Sequence, residues 1–340
     1  GRGRRADWGD CMIDIMQHFK PYTMVPGQKL PIPGSLLYAQ VFPTLWRLFS
    51  SKHEILNEQT LQVQGPLKRF AVFQDLHRGG LAVTSERYKY YLLPSGECTQ
   101  SIKGKLPSAA QAGPLLSLGV HKHADWQKVR CRRDLKEILP LWFRFAAMAP
   151  KGSYRDLETT AIGSLVKTAH QRVLHRETTE IAPALLSIAL AGFSECFLPR
   201  SYDEEFQGIL PQDGDPEGGV PFELLSYSFG MIQDIFLRHQ GQLVEILPAL
   251  PPEFPCGRLI HVALPNLGTL SIVWTKKTIR QVELHAEYSG EVFLKFCSSL
   301  CSARLREWSE RRLSGSKRLS LGETLEIKAG TTYLWDCFHK

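Results

Sequence analysis

The 340-residue sequence has no long hydrophobic run. A transmembrane helix needs about 18 to 20 consecutive apolar residues. The most apolar stretch, residues 181–197, is interrupted by Pro183, Ser187 and Glu195. We therefore expect no helix that spans a membrane, and no membrane partner.

Several enzyme motifs are also missing. The sequence contains no P-loop, no G-x-G-x-x-G, no H-E-x-x-H and no G-x-S-x-G phrase. These absences count against nucleotide hydrolysis, zincin-type proteolysis and the α/β-hydrolase class. His121, His123 and Asp125 form a fragment of a metal site, but no further ligand set stands near them, so we predict no metal and no cofactor.

Asparagine is scarce and cysteine is scattered. The two asparagines, Asn57 and Asn266, do not begin an N-x-[ST] glycosylation site. The eight cysteines lack the regular spacing of a disulfide framework and the paired C-x-x-C pattern of a zinc site. Both features favour reduced thiols and a cytoplasmic location. The chain begins with Gly1, and we expect a fragment or a processed chain.

The formal net charge is +7, and much of the excess lies in residues 304–318. A nucleic-acid site would need these arginines in one groove with stacking aromatics. Only Trp308 stands among them, and Glu307 and Glu310 dilute the charge. We interpret this segment as a solvated surface loop and expect neither a nucleic-acid nor an acidic-lipid partner.

The hydrophobic pattern divides the chain into three regions. Residues 1–106 are predicted to contain an antiparallel sheet from about residue 61, because apolar and polar residues alternate there, while residues 1–60 are interpreted as partly helical. Residues 107–242 have helical spacing, with predicted helices at 132–149, 154–175, 179–197 and 221–240. Residues 243–340 return to alternation and predict a β-sandwich, with strands at 259–264, 269–274, 278–286, 291–296, 324–328 and 331–335.

The most specific phrase lies between the last predicted helix and these strands. Its core, Leu247-Pro248-Ala249-Leu250-Pro251, is followed by Pro252 and Pro255. The prolines predict a stiff extended strap that lies against the helical region, and Gly257 is interpreted as the residue that lets it turn into the first strand. This phrase resembles the linker of family 95 α-L-fucosidases, which are (α/α)-barrel glycoside hydrolases related to family 65-type enzymes.

The resemblance covers about residues 221–340 and implies an α+β fold. That fold has an N-terminal antiparallel β region, an incomplete α/α-barrel-like helical domain and a C-terminal β-sandwich. Two departures stand out. First, residues 107–242 have room for four or five helices, whereas the barrel of this family needs about twelve. Second, residues 212–219 keep the Asp-Gly of the family's catalytic phrase but lose its Asn-Phe.

The resemblance implies a glycoside hydrolase-like protein that acts on oligosaccharides by carboxylate general acid/base catalysis. Such chemistry needs two carboxyl groups about 5 to 9.5 Å apart. Two acidic clusters in the loop before the last helix are the candidate catalytic residues: Asp203, Glu204, Glu205, Asp213, Asp215 and Glu217.

Flat apolar rings suit the faces of pyranose sugars, so aromatic residues near the expected barrel mouth are candidate substrate-binding residues for a carbohydrate ligand. They are Trp126, Trp142, Tyr154 and Tyr202, although most of these aromatic residues are expected to be core residues. The alternative is a catalytically inactive descendant that serves as a carbohydrate-binding or protein-interaction module. The missing helices and the lost Asn favour this alternative.

Overall fold

The computed structural model describes residues 15, 20–100, 113–120, 125–150, 161–194, 196–200, 221–296, 299–309 and 312–340. Within these ranges the chain forms twenty strands and five helices. The strands build four sheets, which are antiparallel except for one parallel pair. In this part of the chain no helix is long and apolar enough to cross a bilayer.

Two sheets form the N-terminal region. One contains strands β1-β6-β7-β8-β9 and the other β2-β3-β4-β5 in that order. The strands are β1 (Tyr22–Thr23), β2 (Lys29–Pro31), β3 (Tyr38–Phe42), β4 (Leu45–Phe49), β5 (Ile55–Thr60), β6 (Ala71–Gln74), β7 (Leu81–Thr84), β8 (Lys89–Leu92) and β9 (Cys98–Thr99).

A separate hydrophobic core joins these two sheets. Ala39 and Val41 alternate along β3, and they pack in one cluster with Val72 and Val83 of the other sheet. This period of two is typical of strands that bury one face. The prediction that residues 1–60 are partly helical is therefore wrong for their described part, which consists of strands and turns.

The five helices are α1 (Trp126–Arg132), α2 (Leu135–Met148), α3 (Ala161–Leu174), α4 (Thr178–Gly192) and α5 (Pro221–Phe236). Helix α2 packs on α5, and α3 packs on both α4 and α5. Pro140 lies inside α2, which continues as one helix.

The prediction of an α/α-barrel-like helical domain is wrong, and so is the predicted relationship to (α/α)-barrel glycoside hydrolases. In the described residues, five helices of 7 to 16 residues stand between antiparallel sheets instead of forming a ring of helical hairpins. The physical reason is that sheet, and not further helices, covers the apolar faces of this region. Phe236 of α5, for example, stacks on Trp274 of the C-terminal region at a centroid distance of 5.3 Å.

Two further sheets form the C-terminal region, with strand orders β10-β13-β14-β15-β20-β17-β18 and β11-β12-β16-β19. The first strand of the larger sheet comes from the chain before α1. The strands are β10 (Leu115–Ser117), β11 (Leu237–Gln240), β12 (Leu243–Ile246), β13 (Gly257–Leu264), β14 (Gly268–Thr275), β15 (Thr278–Ala286), β16 (Gly290–Phe296), β17 (Ser302–Ser309), β18 (Arg312–Ser320), β19 (Thr324–Ile327) and β20 (Thr331–His339). Each of the six strands predicted here has a counterpart.

The proline-rich strap packs against the helices, as predicted, and against the larger sheet, but residues 247–256 form turns and bends instead of the predicted extended segment. The backbone N–H groups of Leu247 and Ala249 donate to carbonyls near the end of α5, at 2.8 and 3.2 Å. Phe254 is fully buried, and its carbonyl accepts a hydrogen bond of 3.0 Å from Trp274 Nε1. The strap therefore ties α5 to β14.

The arginine-rich segment is a β-hairpin, β17–β18, and the prediction of a surface loop is wrong. Ala303 and Leu305 are buried in the core, while Arg304 and Arg306, which alternate with them, are exposed and partly exposed. Arg304 Nε donates to Asp336 Oδ1 at 2.8 Å, and Arg306 bonds the other carboxylate oxygen. Burial raises the pKa of Asp336, but these hydrogen bonds and charges outweigh it and hold the pKa below its ordinary value.

Glu245 of β12 joins the helices to the smaller sheet through three cations. Its carboxylate lies 2.7 Å from Arg176 Nη2, 2.9 Å from Lys295 Nζ and 3.5 Å from Arg238 Nη1. Burial raises the pKa of Glu245, but the hydrogen bond from Lys295 and the charges of all three cations outweigh this effect. The net pKa of Glu245 therefore lies below its ordinary value of 4.5.

Glu245→Gln removes a carboxylate that is paired with three cations, and we expect it to reduce the free energy of unfolding at neutral pH by about 1 to 2 kcal/mol. The loss is limited to this size because two of the three cations are partly solvent-exposed. A depressed carboxyl pKa stabilises the fold above its unfolded value of 4.5, and the contribution is lost as pH falls through the folded pKa. Urea unfolding across this range should show the wild type and the variant converging at acidic pH. A constant difference between them at every pH would contradict this linkage.

Candidate functional site

A groove lies between α1 and the C-terminal end of α4. Its volume is about 740 Å³, within the range typical of small-molecule sites. Trp126, Phe193 and Phe197 supply its aromatic floor, and Gln127 and Arg130 stand on its rim. We call this the aromatic groove.

Helix α1 is positioned by caps at both ends. The Asp125 carboxylate accepts a hydrogen bond of 3.1 Å from the backbone N–H of Gln127, which satisfies a free donor of the first turn. Arg133 ends the helix in the left-handed conformation, with φ of 52°, and its N–H donates to the carbonyl of Val129. Trp126 opens the helix and meets the ring of Phe197 edge-on at 5.5 Å.

The opposite wall is the end of α4 and the turn that follows it. Phe193 and Phe197 stack with ring centroids 4.4 Å apart and planes 9° from parallel. The buried guanidinium of Arg200 donates through Nη2 to the carbonyls of Leu190 and Phe193, at 3.2 and 3.3 Å. A cation at a helix C-terminus also complements the helix dipole, so this wall is well held.

The groove combines two kinds of surface. Its floor is aromatic, and its rim carries the planar donor groups of Gln127, Arg130 and Arg133, all of which are exposed residues. Amide and guanidinium groups donate hydrogen bonds in a plane, and a guanidinium also attracts anions. The three floor residues are largely buried, with Trp126, Phe193 and Phe197 at 5%, 8% and 1% exposure, so the groove presents only parts of their rings beside these polar groups.

Two of the four predicted substrate-binding residues, Trp126 and Trp142, are among the described residues. Trp126 lines the aromatic groove, whereas Trp142 is fully buried beneath it, 5.1 Å from Phe193. Tyr154 and Tyr202 lie outside the described residues. So do all six candidate catalytic residues, whose roles stay predictions: Asp203, Glu204, Glu205, Asp213, Asp215 and Glu217.

The predicted metal fragment is described in part. His121 and His123 lie outside the described residues. Asp125 is described, and its carboxylate caps α1, accepting from the N–H of Gln127 and, at 3.5 Å, from that of Lys128.

A second constellation joins α3 to α5, and sequence reasoning missed it. Tyr227 and Asp234 are seven residues apart, so they lie on one face of α5. His170 of α3 lies between them, with Nδ1 3.0 Å from the Tyr227 hydroxyl and Nε2 2.9 Å from Asp234 Oδ2. The sequence signal was this Tyr–Asp pair on a mainly apolar helix, but its partner stands more than fifty residues earlier in the chain.

The hydrogen-bond roles in this triad follow from the types of group. A carboxylate only accepts, so Nε2 of His170 carries the hydrogen that bonds Asp234. In the neutral imidazole Nδ1 is then an acceptor and receives the hydroxyl hydrogen of Tyr227. Burial raises the pKa of Tyr227, and the charge of Asp234 raises it further, so the phenol keeps its proton at neutral pH.

No protein-family model matches this sequence, and the comparison with curated proteins finds no match either. The features that indicate a function are therefore the aromatic groove and the triad of His170, Tyr227 and Asp234.

Proposed function

We propose that the protein is a binding module that holds a carbohydrate ligand in the aromatic groove. The observation that carries this proposal is the aromatic floor next to planar polar side chains in a groove of about 740 Å³. The apolar C–H faces of a sugar ring pack on aromatic side chains, and its hydroxyl edge needs hydrogen-bond partners. The floor around Trp126 and the rim at Gln127 and Arg130 supply one surface of each kind.

We propose that the protein is located in the cytoplasm. The cysteines of the described residues are free thiols, which is typical of reducing compartments, and the sequence has no N-glycosylation site. The free thiols and the missing glycosylation site therefore both support a cytoplasmic location, as the scattered cysteine spacing does.

The test is titration of the full chain with neutral and acidic oligosaccharides, such as cellotetraose, maltotetraose and tetragalacturonate, by calorimetry and tryptophan fluorescence. We expect binding of at least one of them, with a fluorescence change that Trp126→Phe removes because Trp126 lines the groove. Trp308→Phe is the control, since Trp308 lies in the β17–β18 hairpin. No binding of any of these sugars at millimolar concentration would overturn the proposal.

Affinity variants sharpen this test. We expect Gln127→Ala and Arg130→Ala each to weaken binding about tenfold, which is the cost of one lost hydrogen bond to the ligand. Lys128→Ala is the matched control, because Lys128 is an exposed neighbour on the same helix that does not line the groove. Equal losses in all three variants would count against the groove as the binding site.

A further inference from the structure

We propose that Tyr227 is a nucleophile that accepts an acyl group from activated carboxylic esters, with His170 as its base and Asp234 as the residue that positions His170. The proposal rests on the triad between α3 and α5 and is independent of the aromatic groove. A nucleophile, a base within hydrogen-bond reach and a third group that orients the base are the parts of nucleophilic catalysis.

The geometry meets each of these requirements. Tyr227 Oη lies 3.0 Å from His170 Nδ1, and Asp234 Oδ2 lies 2.9 Å from Nε2 on the other side of the ring. The side chains of His170 and Asp234 are 19% and 23% exposed, so the hydrogen bond between these two residues is partly shielded from water. The imidazole and phenol rings are nearly perpendicular, at 84°, which lets the hydroxyl meet the ring nitrogen edge-on.

Tyr227 is also reachable, since it is 37% exposed. Its hydroxyl hydrogen is directed at Nδ1, so the remaining oxygen lone pairs are free to approach an ester carbonyl. The phenol keeps its proton at rest, and His170 must therefore remove that proton during the attack itself.

The step is balanced for p-nitrophenyl acetate as the acyl donor. The Tyr227 oxygen forms a bond to the acetyl carbon, the ester C–O bond breaks, and p-nitrophenolate leaves with the electron pair. His170 Nδ1 takes the phenolic proton. The imidazolium then releases this proton to solvent. Water attacks the acetyl carbon and the bond to the Tyr227 oxygen breaks; one proton of that water restores the phenol, and the other passes to solvent as acetate leaves.

The experiment treats the full chain with p-nitrophenyl acetate at neutral pH and follows acetylation of individual tyrosines by peptide mass spectrometry. Tyr288 is the internal control, because it is more exposed, at 54%, and stands outside the triad. We expect Tyr227 to be acetylated at least ~10-fold faster than Tyr288, since a positioned base contributes this much or more. Acetylation of Tyr288 at an equal or higher rate would overturn the proposal.

Two variants separate base catalysis from simple exposure. His170→Phe removes the base, and Asp234→Asn keeps the shape of the positioning residue while removing its charge. Both should reduce Tyr227 acetylation at least ~10-fold and leave that of Tyr288 unchanged, with circular dichroism of each variant to check that the fold is retained. An unchanged Tyr227 rate in both variants would show that His170 and Asp234 only join the two helices, and would end the proposal.

Discussion

Gly257→Ala is expected to reduce the free energy of unfolding by about 3 kcal/mol, as measured by urea denaturation. A methyl group at this position would stand 2.3 Å from Cζ2 of Trp274 and 2.6 Å from the carbonyl oxygen of Ser117. Neither neighbour can move easily. Trp274 is 1% exposed and bonded to the strap through Nε1, and Ser117 belongs to the β10–β13 ladder.

The matched control is Gly290→Ala. Gly290 also begins a strand, and no atom lies within 4 Å of a methyl group added there. The two substitutions therefore lose the same backbone freedom in the unfolded chain and differ in the space around the new methyl group. Equal effects of both substitutions would show that Gly257 is not required for close packing.

Arg144→Ala is expected to have an effect of similar size, about 3 kcal/mol. Arg144 of α2 is 1% exposed and donates to the carbonyls of Leu76 and His77, at 2.7 and 3.2 Å. These bonds tie the helices to the turn after β6, in the N-terminal region. Alanine leaves the two carbonyls without these bonds and also leaves a cavity.

A second substitution separates the two contributions. Burial lowers the pKa of Arg144 to about 10, so the charged form is held at an energetic cost. Arg144→Met fills most of the volume and removes that cost, and we expect a loss of only about 1 to 2 kcal/mol. Arg280→Ala, at an exposed position of β15, should change stability by less than about 0.5 kcal/mol. A methionine variant as unstable as the alanine variant would show that the hydrogen bonds, and not the packing, dominate.

Prediction of the fold from sequence succeeded where the apolar pattern matched a single period. Strand β15, Thr278–Ala286, was predicted with the observed bounds, because Val282, Leu284 and Ala286 alternate along it. Strand β17 was missed, since the arginines on its outer face dominate its composition although Ala303 and Leu305 alternate beneath them. Strands β6 to β9 lie in the region after residue 61 where an antiparallel sheet was predicted. Strands β1 to β5 were missed for another reason, because two to six residues are too few to establish a period.

Prediction of the candidate site was less successful, because a site is a set of contacts between distant segments. Trp126 and Trp142 were indistinguishable in the sequence, and both are buried, at 5% and 0% exposure, yet only Trp126 lines the groove. The two residues of the Tyr227–Asp234 pair share one helix face, but nothing local indicated His170 as their partner.

The sequence by itself determined six strands of the C-terminal region, four of the helices and the position of the strap that joins the two. Local periodicity and the fixed φ angle of proline specify such elements without reference to the rest of the chain. Only the tertiary structure decided that sheets, rather than a ring of helices, cover α1 to α5, and which polar side chains meet. Those outcomes depend on which apolar surfaces pack together across the chain, and that choice leaves no periodic signal in any one segment.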